Sequence, residues 1–519
     1  MLQRFIVLIV VCLLFIVPAA QAQGSYTLTI MHTNDAHAQH EPDGDGNGGA
    51  ALEAAVVNQI RAEVANTLLL DGGDRFTGSI FHTFYRGLDS ARIMNALGYN
   101  AMVTGSYEFT HGGTVLAAFV EALDFPVVVA NVDFSGAPEL AGLIPPYTVL
   151  EVGGEQIGII GVTRADARVR PVPGVVFSDD YVGSVQAAID ALNAEGVNKI
   201  ILLSHLGYFD DLQIATELSS VDVIIGSDTN TLLSNTLQDA EGPYPAVTES
   251  AEGTPVLVVQ AGQRNRYLGR LDTEFDAEGV LAAWGGDTIA LTVDITPDPQ
   301  IQALVEELRA PLGDFLNQNI GSTEMLLDGT RESCRFVECN LGNLITDAMR
   351  VYTGAQIGLH NGGGIRASIE AGDITVADVL NVLPFSNTVV TFELSGIDIV
   401  AALENSVSRI DATEGTGRFL QVSGLRFSYD GSQPAGQRVT NVEVQNRSGD
   451  YDVLDPDDVY TIVTNDFLYA GGDDYSMFAQ NSGAGFDFGV TLDEVVREYI
   501  TANSPLRIGT EERITRLDR

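Results

Sequence analysis

Short and almost continuously apolar stretches recur through the first half of the chain, each followed by a helical pattern or a glycine-rich turn. Strands buried on both faces have this near-continuous apolar character, which is typical of sheets covered by helices. Between residue 25 and about residue 294 the strand candidates read YTLTIMH, NTLLLD, AMVTG, FPVVVAN, QIGIIGV, KIILLSH and VDVIIG, and the helix candidates are 49–65, 89–97, 113–123 and 183–195. The pattern predicts a layered α/β domain.

The second half of the chain follows a different pattern, and 519 residues are too many for one hydrophobic core. Residues 296–319 have a helical period after a proline-rich start, so we expect a connecting helix with a kink at Pro311. The elements expected beyond it are helices near 340–353 and 395–409 and several strands after Phe419. We therefore predict an α/β domain at 25–295, the connecting helix at 296–319, and an α+β domain at 320–519.

The N-terminus has the pattern of a secretory signal peptide. One arginine precedes a long apolar run, and the letters AQA end that run with the small-x-small pattern of a cleavage site. We predict removal of residues 1–22 and export to the periplasm or the extracellular medium. The alternative is an uncleaved membrane anchor. No later apolar run reaches the ~18 residues needed to span a bilayer, so we expect no transmembrane segment after signal removal.

Charge and cysteine content narrow the choice of partners. A formal net charge of −43 repels nucleic acid polymers and anionic membranes at long range. Any phosphate-bearing ligand must then be attracted by local arginines or metal ions. Cys334 and Cys339 remain after signal removal, and two cysteines five positions apart in an exported protein are expected to form a disulfide. Two free thiols are the alternative.

Side chains that can bind metal ions follow four of the strand candidates. They are Asp35 and His37, then Asp74, then His205, and finally Asp228 and Asn230. Ligands of open α/β sheets bind beyond the carboxyl ends of the strands, so these groups are expected to converge. Carboxylate, imidazole and amide groups suit Zn²⁺, Mn²⁺ and similar ions. Each residue alone is more simply a turn residue, a helix cap or a hydrogen-bonded histidine. The ordered series is what indicates a metal centre.

These motifs carry a resemblance to a known family. HTNDAH, LLLDGGDRFTGS, MNALGYNAMVTGSYEF, SHLG and IIGSDTN resemble the calcineurin-like metallophosphoesterase domain of the 5′-nucleotidase family. LDGTRESCRFVECNLGNLITDAM, NGGGIRASI, VLPFSNTVVTFELSG, GRFLQVSGLRFSYD and TNDFLYAGGDDYSMF resemble its C-terminal nucleotide-binding domain. The motifs occur in the family's order and cover essentially the whole mature chain.

The resemblance implies a centre for one or two divalent ions, drawn from Mn, Zn, Co and Mg. By position, one ion would be bound by Asp35, His37, Asp74 and Asn230, and Asp74 would bridge to a second ion bound by His205, Ser106 and Asp228. The family usually has Asn and His at the last two positions. A serine hydroxyl is a poorer ligand than an amide oxygen, and an aspartate suits Mn²⁺ or Mg²⁺ better than Zn²⁺.

The stretch VTGSYEFTHGG departs further from the family. Tyr107 stands where the family has its catalytic histidine, and Thr110 stands where an aspartate orients that histidine. His111 lies four residues after Tyr107, so on a helix the two would share a face and His111 could replace the imidazole. A surface histidine is the simpler interpretation. Together with Ser106, three changes fall within five residues.

In the second domain the resemblance implies a nucleotide pocket that keeps the family's residues. Phe385 and Phe467 match the two rings that stack on the base. Aromatic stacking accepts different bases, so these rings do not determine which nucleotide binds. The other matching residues are Arg335 and Arg366 for the phosphate, Asn361 for the base or ribose, and Asp473 for the ribose hydroxyls. A Cys334–Cys339 disulfide would fix the loop that carries Arg335.

Two functions are compatible with this combination. The first is an exported 5′-nucleotidase-type hydrolase of nucleotide phosphate esters, with impaired or altered activity. The second is a nucleotide-binding pseudoenzyme that has lost hydrolysis. Metal binding for structure alone would explain the first domain but not the second. The expected partner is a nucleotide or nucleoside, and the sequence makes no prediction of oligomeric state.

Overall fold

The computed structural model describes residues 25–164, 172–410, 416–481 and 485–518. The predicted signal peptide, residues 1–22, lies outside the described residues. Within these ranges the structure has no helix that is both long enough and apolar enough to cross a membrane.

The first half contains two mixed six-stranded sheets. Its strands are β1 Tyr26–Thr33, β2 Thr67–Asp71, β3 Ala101–Val103, β4 Val127–Val128, β5 Val132–Asp133, β6 Tyr147–Val152, β7 Glu155–Thr163, β8 Val176–Phe177, β9 Ile200–His205, β10 Val223–Ile225, β11 Ala246–Glu249, β12 Pro255–Val259, β13 Tyr267–Phe275 and β14 Leu281–Ala290. The sheet orders are β14-β13-β1-β2-β3-β4 and β11-β12-β10-β9-β7-β6. In the first sheet β1, β2, β3 and β4 pair in parallel, and in the second sheet β7, β9, β10 and β12 do. Strands β6, β11, β13 and β14 pair antiparallel with their neighbours.

Helices cover the outer faces of both sheets. They are α1 Ala50–Glu63, α2 Ile80–Tyr85, α3 Leu88–Leu97, α4 Gly113–Ala122, α5 Tyr181–Ala194 and α6 Tyr208–Glu217. Alternate residues of β7 face different cores: Ile157 and Ile159 join the core that contains the first sheet and α1, α3 and α4, whereas Ile160 and Val162 pack against α5 and α6. This two-sided burial explains the continuous apolar strands and gives four layers, helix–sheet–sheet–helix.

The predicted connecting helix consists of two helices, α7 Pro299–Arg309 and α8 Leu312–Leu316. Asp298 caps the first by accepting hydrogen bonds from the backbone of the first turn. The helix breaks just before Pro311, which lacks a backbone N–H and cannot continue the ladder. Helix α7 packs on the first half of the chain, where its apolar residues join the core of the first sheet.

The second half is an α+β arrangement with two further hydrophobic cores. Its strands are β15 Asn319–Thr323, β16 Ile357–Asn361, β17 Gly372–Thr375, β18 Thr388–Ser395, β19 Leu420–Ser423, β20 Leu425–Tyr429, β21 Val439–Gln445, β22 Tyr451–Val453, β23 Val459–Asn465, β24 Phe486–Thr491 and β25 Ile514–Arg516. Its helices are α9 Arg331–Cys334, α10 Asn340–Thr353, α11 Val376–Val382, α12 Gly396–Val407, α13 Asp466–Tyr469, α14 Ser476–Asn481 and α15 Leu492–Asn503. The larger sheets have the orders β19-β16-β23-β18-β24 and β22-β21-β20-β25.

Candidate active site

The carboxyl ends of parallel strands bring three of the predicted metal ligands together. Asp35 lies just after β1, Asp74 follows β2, and His205 is the last residue of β9. All three side chains are buried, and one ligand atom of each lies within 4.8 Å of the others. Nε2 of His205 is 3.2 Å from Oδ2 of Asp74. Oδ1 of Asp228, which follows β10, is 4.0 Å from the same nitrogen.

The backbone at five of the seven predicted ligands lies in the left-handed region. The φ angles are 49° at Asp35, 49° at His37, 56° at Asp74, 73° at Asp228 and 57° at Asn230. Each such conformation of a non-glycine residue costs of order 1–3 kcal/mol, and such residues cluster at functional sites. Backbone hydrogen bonds between the two loops offset part of this cost, because Asp35 N–H donates to the carbonyl of Gly73 and His37 N–H donates to that of Asp74.

The cluster has the electrostatics of a cation site. Burial raises the pKa of Asp35 to about 7, an effect that the charge of His205 reduces and that of Asp74 increases. Burial favours neutral forms of Asp74 and His205 as well. Their mutual attraction outweighs it, so the pKa of Asp74 lies below its ordinary value and that of His205 well above. A proton on His205 thus neutralises part of the negative charge, and a metal ion would displace it.

Two further observations fit a divalent ion. Oδ1 of Asn230 is buried without a hydrogen-bond partner among the described residues, although buried polar atoms are normally paired, and Nε2 of His205 faces the carboxylates of Asp74 and Asp228. Nδ1 of His205 lies 2.8 Å from the carbonyl of Gly72, which fixes the ring with Nε2 toward the carboxylates. His37 lies close enough to Asp74 to help hold the pKa of that carboxyl down. Carboxylate, imidazole and amide donors suit Mn²⁺, Zn²⁺ or Co²⁺.

The positions predicted to bind a second ion have a different arrangement. Arg164, the first residue after β7, places its Nε 3.4 Å from Oδ2 of Asp228 and its Nη2 2.9 Å from Oδ2 of Asp210. The hydroxyl of Ser106 makes no hydrogen bond within the described part of the chain. The structure therefore joins Asp228 to an arginine and leaves Ser106 without an interaction that would place it as a ligand.

Tyr107 connects the cluster of Asp35, Asp74 and His205 to the second half of the chain. Its backbone N–H donates to Oδ1 of Asp74 at 2.9 Å, and its hydroxyl donates to Oδ2 of Asp487, in β24, at 3.1 Å. Its ring lies 5.5 Å from that of His37. Burial and the carboxylate of Asp487 raise the pKa of Tyr107 well above its ordinary value, so the phenol stays neutral. The hydroxyl of Thr110 is buried without a hydrogen-bond partner among the described residues.

His111 lies in a different group of side chains. Its Nε2 is 2.9 Å from Nη1 of Arg86, and its ring stacks on His82 with centroids 5.1 Å apart. Arg86 also pairs with Glu494 of α15 at 2.7 Å. Burial and the neighbouring guanidinium lower the pKa of His111 to about 4. His111 is therefore partly buried between the two halves of the chain, and it is not the surface histidine of the simpler interpretation.

Glu108 organises the loop of Asp74, although the sequence pattern did not indicate this role. Its buried carboxylate accepts four backbone N–H groups, from Asp74 at 3.1 Å, Arg75 at 2.7 Å, Phe76 at 3.1 Å and Gly105 at 2.6 Å. An acidic residue followed by phenylalanine inside GSYEF was the available signal. Arg164, Asp487 and Arg264 were also not predicted, because the sequence carried no signal for them. Arg264 is an exposed cation near both His37 and Asp466.

The predicted nucleotide residues lie at one end of the second half. Phe385 and Phe467 expose 49% and 45% of their surface, which is unusual for large aromatic side chains. Arg366 lies over the ring of Phe385, 5.6 Å from its centroid. Nδ2 of Asn361 donates to Oδ2 of Asp473 at 2.9 Å. The structure thus leaves nearly half of each aromatic side chain exposed, with a guanidinium over the ring of Phe385.

Arg335 is buried beside the same residues. Burial and the charges of Arg331 and Arg366 lower its pKa, whereas Asp473 acts in the opposite direction. Its Nε has no hydrogen-bond partner within the described ranges. Cys334, which precedes it, forms a disulfide with Cys339. The predicted pairing of these cysteines is present, and the loop that carries Arg335 is cross-linked.

The first half has four α/β layers with a carboxylate–histidine cluster at its strand ends, and the α+β half exposes two phenylalanine rings. This combination defines a protein of the two-domain metallophosphoesterase class. Residues 319–480 match the family described as 5′-nucleotidase, C-terminal domain. The 5′-nucleotidase of Bos taurus is 37% identical over 532 residues, which cover 96% of this chain and 92% of that protein. The chain belongs to the 5′-nucleotidase family, as the motifs predicted.

Two other comparisons agree. The trifunctional nucleotide phosphoesterase protein YfkN of Bacillus subtilis is 35% identical over 522 residues, which cover 93% of this chain but 34% of that longer protein. The solved structure of the 5′-nucleotidase precursor from Thermus thermophilus is 43% identical, covers 95% of this chain and all of its own, and has a TM-score of 0.62. The predicted fold class, an α/β part followed by an α+β part, is confirmed.

Proposed function

We propose that this chain is an exported hydrolase that releases phosphate from nucleoside 5′-phosphates at a divalent metal centre. The observation that carries the proposal is the buried cluster of Asp35, Asp74 and His205. The negative charge of its carboxylates raises the pKa of His205, as expected for a site that binds cations. Membership of the 5′-nucleotidase family supports the substrate class. Export rests on the signal-like N-terminus, and periplasm or extracellular medium is the proposed compartment.

The second half of the chain supplies substrate binding in this proposal. Phe385 and Phe467 hold the base between their rings, and their exposed faces support this role. Arg335 and Arg366 bind the phosphate, because a guanidinium fork matches phosphate oxygens. The remaining roles are Asn361 toward the base or ribose and Asp473 toward the ribose hydroxyls.

The first half supplies the hydrolytic centre. Asp35, His37, Asp74, His205 and Asn230 would hold the ion, which supplies Lewis-acid stabilisation of charge on the phosphoryl oxygens when bound. Glu108 and the backbone of the Tyr107 turn position Asp74 by hydrogen bonds. These hydrogen bonds fix the orientation of the Asp74 carboxylate before a ligand binds.

Turnover is expected to be slow, because the imidazole of the family is absent. Tyr107 is a neutral hydrogen-bond donor whose hydroxyl is already bound to Asp487, so it stabilises developing charge on the phosphate poorly. Removal of one such transition-state donor typically lowers kcat by about 10²–10³. His111 lies beside Arg86 and His82 and does not replace it.

The test is phosphate release from AMP by the purified mature chain, with Mn²⁺, Zn²⁺, Co²⁺ or Mg²⁺ added in turn. Asp74→Ala is the control for a contaminating phosphatase. Release that disappears in Asp74→Ala supports the proposal. Equal release by both proteins, or none with any ion, refutes hydrolysis at this centre.

The second candidate function is nucleotide binding without hydrolysis. The bond from the Tyr107 hydroxyl to Asp487 favours it, because the side chain at the family's catalytic position makes a contact between the halves instead of facing a substrate. Calorimetric binding of AMP or adenosine in the absence of any phosphate release would establish this function.

A further inference from the structure

We propose that the metal centre binds a single divalent ion and that the guanidinium of Arg164 takes the place of a second one. The inference rests on the proposed metal centre, but it concerns stoichiometry and does not require turnover. It starts from a disagreement: the residues at the second ion's position fit an arginine better than a metal.

The position of Arg164 is fixed by the register of the second sheet. Strands β7 and β9 are parallel, with Thr163 opposite His205. Arg164 and Leu206, the first residues after these two strands, therefore lie side by side at the carboxyl end of the sheet. Nη2 of Arg164 donates to the carbonyl of Leu206. The arginine thus starts beside the candidate metal ligand His205.

Several groups among the described residues hold the guanidinium over this edge. Besides the Leu206 carbonyl, it pairs with Asp210 at 2.9 Å and with Asp228 at 3.4 Å, and only 19% of its side-chain surface is exposed. Gly207 has a φ of 102°, and a Cβ added there would lie 3.1 Å from Nη2 of Arg164 and 3.4 Å from Oδ2 of Asp228. The loop after His205 therefore packs directly on the arginine–aspartate pair.

Charge balance favours one ion. The carboxylate of Asp228 already faces the guanidinium of Arg164, which leaves the two negative charges of ionised Asp35 and Asp74 to be matched by one divalent cation. A second divalent ion on Asp228 would meet the fixed positive charge of Arg164 at short range. It would also lack a good ligand at Ser106, because a neutral hydroxyl is a weak donor. His205 is then available to the single ion, because its ligand atom lies within 4.8 Å of those of Asp35 and Asp74.

The experiment counts the ions. The purified chain is equilibrated with Mn²⁺, desalted, and measured by elemental analysis and electron paramagnetic resonance. We expect one ion per chain and the six-line spectrum of an isolated Mn²⁺. The triple variant Ser106→Asn, Asp228→His, Arg164→Ala restores the family's ligands and removes the competing cation, so it should bind two ions with a broadened, coupled spectrum. Arg92→Ala, which removes a surface arginine paired with Glu307, is the matched control and should bind one.

Two bound ions in the unaltered chain, or none, would overturn the inference. So would a folded triple variant that still binds one ion, since Arg164 and the two ligand changes would then not be what excludes the second. Circular dichroism establishes whether the variant folds; if it does not, the count and the spectrum of the unaltered chain decide. One ion per chain without phosphate release would refute the proposed hydrolysis and leave this inference standing.

Discussion

Phe467→Ala should weaken nucleotide binding about five- to 150-fold, because base–aromatic stacking contributes about 1–3 kcal/mol per ring and 1.4 kcal/mol corresponds to tenfold in Kd. The ring is 45% exposed, so its removal leaves no large cavity in the core. Phe385→Ala should weaken binding by a similar factor. It also removes the ring that Arg366 lies over at 5.6 Å, so this guanidinium loses a support.

Calorimetric titration with AMP measures these differences without requiring turnover, so it holds for either candidate function. Phe209→Ala is the matched control, because Phe209 is 79% exposed on α6 and belongs to the first half. Its variant should bind AMP like the unaltered chain. An unchanged Kd in both Phe385→Ala and Phe467→Ala would refute the stacking role, and so would an equal loss in Phe209→Ala.

Three further predictions concern the first half. Ser106→Asn with Tyr107→His and Thr110→Asp should raise phosphate release from AMP about 10²–10³-fold; no gain in the folded triple variant would contradict the assigned positions. Glu108→Gln should lower the free energy of unfolding by roughly 2–6 kcal/mol, measured in urea, because its amide opposes two of the four backbone N–H donors and each unpaired donor costs about 1–3 kcal/mol; an unchanged midpoint would contradict this. Burial raises the pKa of Asp211 well above its ordinary value, so the folded state keeps a proton that the unfolded chain loses. Stability therefore falls as pH rises from the unfolded pKa toward the raised folded pKa. Asp211→Asn should remove that part of the decline in thermal midpoints between acid and neutral pH, and parallel curves for both proteins would refute it.

The strands at the centre of the first half could be predicted because burial on both faces leaves a local signal. Each of the seven apolar runs contains a strand, and the four proposed helices lie within a few residues of α1, α3, α4 and α5. The antiparallel strands at the sheet edges were missed. Strands such as β14 are half exposed and glycine-containing, so their sequences lack the continuous apolar run and their pairing is decided by tertiary contacts.

The candidate site was predictable only as far as strand ends determine it. Asp35, Asp74 and His205 follow parallel strands, and parallel strands place their carboxyl ends at one edge. The pairing of Arg164 with Asp228 depends on the register between β7 and β9 and on the path of the loop at Gly207, neither of which a motif encodes. The contact between Tyr107 and Asp487 joins positions 380 residues apart, and it exists because of how the two halves pack.

Two kinds of group in the stretch from Val103 to Gly113 have different roles, one that supports the Asp74 loop and one that is the side chain at position 107. Glu108 and the N–H of Tyr107 still hold the Asp74 loop through backbone hydrogen bonds, and these bonds do not depend on which side chain occupies position 107. The side chain at that position can therefore change from an imidazole to a phenol without collapse of the carboxylate cluster. Because the supporting bonds and the transition-state donor are separate, the cluster can bind a cation whether or not the chain hydrolyses phosphate, and only turnover distinguishes the enzyme from the binding protein.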